Sequence, residues 1–214
     1  MSETENNPSA EAASPARKRP KPGERRIQIL QALASMLEQP GAERITTAAL
    51  AAKLEVSEAA LYRHFASKAQ MFEGLIEFIE QAVFTLVGQI AEREASATDP
   101  SAGARHAGKV VTMILHFGEK NPGMVRVMVG DALVFENERL QQRMNQFFDK
   151  IESTLKQCLR EGAAPSAMTP TADAQVQASV LTAFVVGRLQ RFARSGFRRV
   201  PTEHLDASLA QMLR

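Results

Sequence analysis

Residues 46–65 read TTAALAAKLEVSEAALYRHF. Leu50, Leu54, Val56 and Leu61 are spaced to meet across a tight turn, and small Ala51 lets two short helices cross closely. Thr46 or Thr47 caps the first helix, which runs through Lys53, and Ser57 caps the second, which runs to about His64; both hydroxyls accept from otherwise orphan amides. A generic pair of short helices also fits this spacing. The reading that gives it a purpose is a helix-turn-helix, in which the first helix crosses a nucleic-acid backbone and holds the second in a major groove roughly 12 Å wide. Glu55 occupies the turn, where glycine enters positive φ freely, at a cost of about 1 kcal/mol.

The exposed face of the second helix then carries Ser57, Glu58, Ala59, Tyr62 and Arg63, with His64 and Lys68 just beyond. Thr47, Tyr62, His64 and Lys68 suit phosphates, and Thr46 stands beside them at the start of the first helix. Ser57, Ala59 and Arg63 are placed toward base edges, because small side chains at a helix N-terminus permit close approach. His64 serves equally as a local cap or packing group. Lys68 has the second use of neutralising the negative end of the recognition helix.

Working outward, Ile27, Ile29, Leu30, Leu33, Met36 and Leu37 recur at helical spacing from Glu24 until Pro40 and Gly41 stop them. Ser67 and Gln70 have capping-box spacing and open a long helix through Glu94. Asp99 and Pro100 signal the start of a helix ending near Glu119, and Asn121-Pro122-Gly123 breaks it. Leu133, Leu140, Met144, Phe147, Phe148, Ile151, Leu155 and Leu159 mark one long amphipathic helix, with a loop at Gly162, Pro165 and Pro170. A helix over about 172–194 and a last one after Pro201, carrying Leu205, Leu209, Met212 and Leu213, complete an all-α chain. The expected division is a basic, disordered arm at 1–23, a helix-turn-helix domain at 24–68 and a helical domain at 69–214.

The chain has 214 residues and a net charge of +2, with one cysteine and no tryptophan. A lone Cys158 makes no internal disulfide and no zinc site, and reads as a buried or inert thiol. No signal-peptide core and no unbroken run of 18 apolar residues is present, so the expected location is the cytoplasm. Residues 1–68 hold 10 basic and 8 acidic groups, which leaves 16 and 16 of the 26 and 24 for the remainder. The excess lies in Arg17, Lys18, Arg19, Lys21, Arg25 and Arg26 against Glu24, a run that is either solvated or attracts a polyanion by counterion release.

The run RITTAALAAKLEVSEAALYRHFASKAQMFEGLIEFIE resembles the DNA-binding end of TetR-family regulators, through Leu61, Tyr62, His64, Phe65 and Lys68. LIEFIE at Leu75–Glu80, FGEKNPGMVRVMVGDALVFE at Phe117–Glu136 and RLQQRMNQFFDKIESTLKQCLRE at Arg139–Glu161 are similar to the nucleoid occlusion branch of that family. That resemblance implies a TetR-like fold and a homodimer on palindromic chromosomal DNA, with more than one dimer per site possible in principle. It further implies association with the nucleoid and capture of the C-terminal tail of the division protein FtsZ. Phe78, Met113, Lys120 and Asn121 suit such a tail, giving an apolar floor, a cation and an amide. A Phe at helical spacing also suits a core. Val176, Val180, Phe184 and Gly187 form a stripe that serves a two-fold interface together with Leu209 on the final helix, or else burial within one chain.

Other constellations carry less. Gly103 to Lys109 fits the phosphate-loop spacing, but Val110 stands where a magnesium-binding hydroxyl belongs and no strand precedes it. His106, His116 and His204 lack metal-ligand spacing. No enzyme, cofactor or metal is expected. The rival function is a ligand-regulated repressor whose helical domain encloses a small apolar inducer among Met113, Met124, Met128 and Phe135.

Overall fold

The computed structural model describes residues 23–39, 45–94, 99, 101–161 and 170–213. Those residues are helical throughout: α1 (Glu24–Leu37), α2 (Thr47–Lys53), α3 (Glu58–Tyr62), α4 (Lys68–Glu94), α5 (Ala102–Lys120), α6 (Pro122–Met128), α7 (Glu138–Glu161), α8 (Pro170–Arg194) and α9 (Leu205–Met212). Residues 1–22 of the expected arm at 1–23 lie outside the described residues, as do 162–169 of the expected loop, whose Pro170 instead opens α8.

Local sequence explains most boundaries. Thr46 accepts the Ala49 amide at 3.1 Å and Ser57 the Ala60 amide at 3.3 Å, so the two hydroxyls do cap α2 and α3. Glu55 adopts φ 54°, the left-handed turn expected there. Ser67 accepts the Gln70 amide at 3.2 Å, while the Gln70 side chain reaches one residue further back than a capping box requires and accepts from Ala66 N–H at 2.9 Å.

Four boundaries differ from the expectation. The recognition helix α3 ends at Tyr62, and its last turn tightens through the His64 amide onto the Leu61 carbonyl. Asp99 does not cap α5; its carboxylate takes the Ser101 amide and both Arg105 Nη groups, and the helix starts at Ala102. The Arg105 guanidinium holds the Asp99 carboxyl well below the usual carboxylate range. Pro122 ends nothing further along the chain: it opens α6, where its missing N–H is no loss. Leu133 lies outside α7, because Gly130 at φ 86° turns the chain into a short 3-10 segment at Asp131–Leu133, and Asn137 Oδ1 then receives the Arg139 amide at 3.0 Å.

One continuous core joins the helices. α4 leaves the helix-turn-helix, α5 returns beside it, α7 runs out again and α8 returns against α7. By length and mean hydropathy (1.3) α4 is the one described helix able to cross a membrane. Here Met71, Phe72, Leu75, Ile76, Ile79 and Val83 are fully buried in the core, and Glu73 and Glu80 pair with Arg139 and Arg143 of α7. Gly103 to Lys109 falls inside α5, as a helix and not the loop that a phosphate-cradling motif requires. Cys158 is buried in the core of the bundle.

α6 fastens the bundle to α1. A Cβ added at Gly123 would lie 2.0 Å from the Ala34 carbonyl oxygen and 2.9 Å from its carbon, both backbone atoms that yield only if the helices part. Gly123→Ala is therefore expected to destabilise the fold by about 1–3 kcal/mol. Gly88 in α4 meets nothing within 4 Å, and Gly88→Ala is expected to stabilise by about 0.5–1 kcal/mol through helix propensity. Urea midpoints of the two variants check both signs, and equal midpoints would show that the α1–α6 contact is not close.

Candidate nucleic-acid interface and partner surfaces

The helix-turn-helix is small and firmly seated. Leu50, Ala51 and Leu61 are buried between α2 and α3, and Leu54 and Val56 pack at their edge. Arg26 of α1 donates to the His64 carbonyl at 2.9 Å and lies 4.1 Å over the Phe65 ring, which ties the end of α3 to α1. Lys53 donates to Ser35 at 3.0 Å, anchoring α2 to the same helix. The outward face is thus held by three separate contacts with α1.

On that face Ser57, Glu58, Ala59, Tyr62, Arg63 and His64 are all exposed, and Thr46 stands exposed beside them. The Thr46 and Ser57 hydroxyls each accept a cap hydrogen bond, which leaves each its O–H donor, one lone pair and small size to offer a groove. Thr47 donates to Glu58 Oε2 at 2.5 Å, which turns the Glu58 carboxylate toward α2. Tyr62, Arg63 and His64 carry no side-chain hydrogen bond among the described residues and are the groups at liberty to reach a duplex. Lys68 is different. Its ammonium pairs with Glu136, just before α7, and lies 5.7 Å over the Phe72 ring. A phosphate at this position competes with a carboxylate of the bundle, a coupling that spacing in the sequence had no means of showing.

The residues read as a partner surface separate into two kinds. Phe78, on α4, is 47% exposed and stands outside the core despite its helical spacing. Lys120 is exposed at the end of α5, Met113 is half-buried against the core, and the Asn121 amide donates to the Phe117 carbonyl at 2.7 Å, closing the helix end. Asn121 therefore works first as a local cap.

The α8 stripe is open. Val176 and Val180 are 65% and 49% exposed, Phe184 is half-buried beneath the Arg188 guanidinium at 5.0 Å, and a Cβ at Gly187 would meet nothing within 4 Å. Burial within one chain is thus not the use of this face. Leu209 departs from the expectation: it is buried, 4.0 Å from where a Cβ at Gly108 of α5 would sit, because α9 turns its apolar side inward onto its own bundle. The residues suggested for an inducer pocket are dispersed. Met128 is in the core, Met113 and Met124 pack at its edge, and Phe135 is exposed. A cleft of about 360 Å³ beside α9 is lined by polar groups including Thr112, His116, Thr202 and His204, unlike an apolar ligand site.

Two family models match the chain. Residues 29–75 match the model of bacterial regulatory proteins of the TetR family, and residues 105–214 match the SlmA-like, tetracyclin repressor-like C-terminal domain. The nucleoid occlusion factor SlmA of Idiomarina loihiensis is 49% identical over 183 residues, 86% of this chain and 90% of that one. SlmA of Salmonella paratyphi A is 50% identical over 184 residues, 86% of this chain and 90% of that one. Among solved structures, the Bacillus subtilis regulator FadR in complex with stearoyl-CoA superposes with a TM-score of 0.67 at 12% identity, over 87% of this chain and 97% of that one. The ketosteroid regulator KstR2 of Mycobacterium tuberculosis gives 0.60 at 19% identity, over 89% and 94%. At such identities these two show the shared fold alone. From its helix-turn-helix to its final helix, the chain belongs to the SlmA-like branch of the TetR family of bacterial regulatory proteins.

Proposed function

We propose that this protein is a nucleoid occlusion factor that binds palindromic chromosomal DNA as a homodimer and, while bound, captures the C-terminal tail of FtsZ and so opposes division-ring assembly over the nucleoid. The observation that carries the reading is the near-half identity to nucleoid occlusion factors across both the DNA-binding unit and the bundle. The open α8 stripe supports the dimer: Val176, Val180 and Phe184 lose water when a second copy covers them, and Gly187 permits close helix approach. Two-fold symmetry then sets two copies of α3 about 34–36 Å apart, one duplex turn.

Thr47, Tyr62 and His64 bind phosphates in this reading, with Ser57, Ala59 and Arg63 at base edges, and the DNA confines the protein to the nucleoid. Phe78 is the apolar anchor for the tail, with Lys120 meeting its acidic groups. Phe78 is 47% exposed on α4, where an apolar side chain of a partner can cover it.

The deciding experiment titrates FtsZ, with and without its C-terminal tail, into the protein held on a labelled palindromic duplex, and follows anisotropy. Tail-dependent binding supports the reading; no binding by either form, with the DNA still bound, overturns it. Phe78→Ala and Lys120→Glu are expected to spare DNA binding while abolishing capture of FtsZ, and equal loss of both in the same titrations would mean misfolding. Tyr62→Ala is expected to weaken every duplex alike. For Lys68→Ala the logarithmic salt slope is expected to fall by about 1 per protomer. Glu136→Gln, which frees Lys68, is expected to tighten binding; an unchanged slope and affinity in this pair would keep Lys68 on Glu136 in the complex.

A further inference from the structure

The outward face of α3 carries one acid that the contacts assigned to phosphates and base edges leave without a role. Between Ser57 and His64, Glu58 is the single acidic residue, and it is exposed. A surface that closes on a polyanion is repelled at such a carboxylate, so the residue costs affinity on every sequence unless a donor on the duplex takes it up. An acid in the first turn of a helix also complements the dipole. That account suits any exposed carboxylate at this position and gives no reason for the bond that fixes this one.

The Thr47 hydroxyl of α2 donates to Glu58 Oε2 at 2.5 Å, across 11 residues of chain. Thr47 is half-buried, and α2 is itself fastened to α1 by Lys53, which donates to Ser35 at 3.0 Å. The donor therefore stands on a fixed helix. Its bond removes in advance rotamer freedom that a long carboxylate side chain otherwise loses on binding. Oε1 has no partner among the described residues. α3 thus offers a preset acceptor with one oxygen open.

Its position favours base edges over the phosphate backbone. Glu58 is the first residue of α3, and the leading residues of a recognition helix are the ones that contact bases in the major groove. Ser57 and Ala59 on either side are small, so they let the helix come close while the longer Glu58 reaches further. An ionised carboxylate only accepts hydrogen bonds. In the major groove guanine presents acceptors, thymine an acceptor and a methyl group, and adenine a donor beside its N7 acceptor; cytosine presents the N4 donor with no acceptor on its own edge. Cytosine is the base that a fixed carboxylate meets without repulsion.

We propose that Glu58 determines sequence specificity: positioned by Thr47, its carboxylate accepts from the N4 amino group of one cytosine in each half-site and rejects guanine and thymine there. This role rests on the reading of the protein as a palindrome-binding dimer. Two-fold symmetry repeats the contact, so the preferred site carries that cytosine in one half and its complementary guanine at the mirrored position of the same strand.

The test exposes the full chain to a pool of duplexes with a randomised core and sequences the bound fraction. The wild type is expected to enrich a palindrome in which cytosine is favoured about tenfold at one position of each half. Glu58→Gln keeps the side-chain volume and an acceptor for Thr47 but adds an amide donor, and is expected to move that position to adenine, whose N6 and N7 pair with an amide. Glu58→Ala is expected to bring the four bases there near parity and to leave every other position unchanged. Thr47→Val, which lacks the donor, is expected to blur the same position beyond any uniform loss of affinity, and a uniform loss alone overturns its positioning role. An enriched palindrome that stays unaltered in folded Glu58→Gln and Glu58→Ala overturns the proposal by itself, as does a preference lost at every position together. If the wild type enriches no palindrome, the DNA half of the proposed function falls and the role of Glu58 falls with it.

Discussion

The close approach of α6 to α1, with Gly123 lying against the Ala34 carbonyl, is the constraint through which the two halves of the molecule become one body. α1 carries α2 and α3 by Arg26, Lys53 and the apolar contacts of Leu33 and Leu37, so whatever orients α1 orients the recognition helix. α6 in turn is set by the break at Asn121-Pro122 and by Arg126 over Phe197. A side chain at position 123 large enough to separate the helices would tilt the reading head against the bundle. A second tie, Lys68 to Glu136, spans the same junction with charge instead of packing.

These two ties join the helix-turn-helix to the bundle, one by packing and one by charge. Lys68 holds Glu136 at the end of the segment before α7, in which Val134 and Phe135 are largely exposed.

Much of this was legible in the residues themselves. Hydroxyl caps at Thr46 and Ser57, the Glu55 turn and the alternation of apolar positions along α4, α5 and α7 are set by bonds within a few residues, and the structure reproduces them. Misplaced boundaries came where two local signals competed. Asp99 had an adjacent proline to recommend it as a cap, yet Arg105 six residues on holds its carboxylate elsewhere. Leu133 continued the apolar spacing of α7, yet Gly130 at positive φ outweighs a matching period.

The sequence by itself determined the helices, the helix-turn-helix and the kinship, because caps, turns and periodicity act over distances the chain spans in a turn or two. Only the tertiary structure decided which apolar residues face water. Phe78, Val176 and Leu209 all recur at helical spacing, but exposure depends on which neighbour covers each face, and no neighbour covers the first two while α5 covers the third. It alone also brought Lys68 to Glu136 across 68 residues and Thr202 to Glu119 across 83. Burial and charge pairing are properties of packing between distant segments, and a one-dimensional pattern holds the components of such contacts without saying which of them meet.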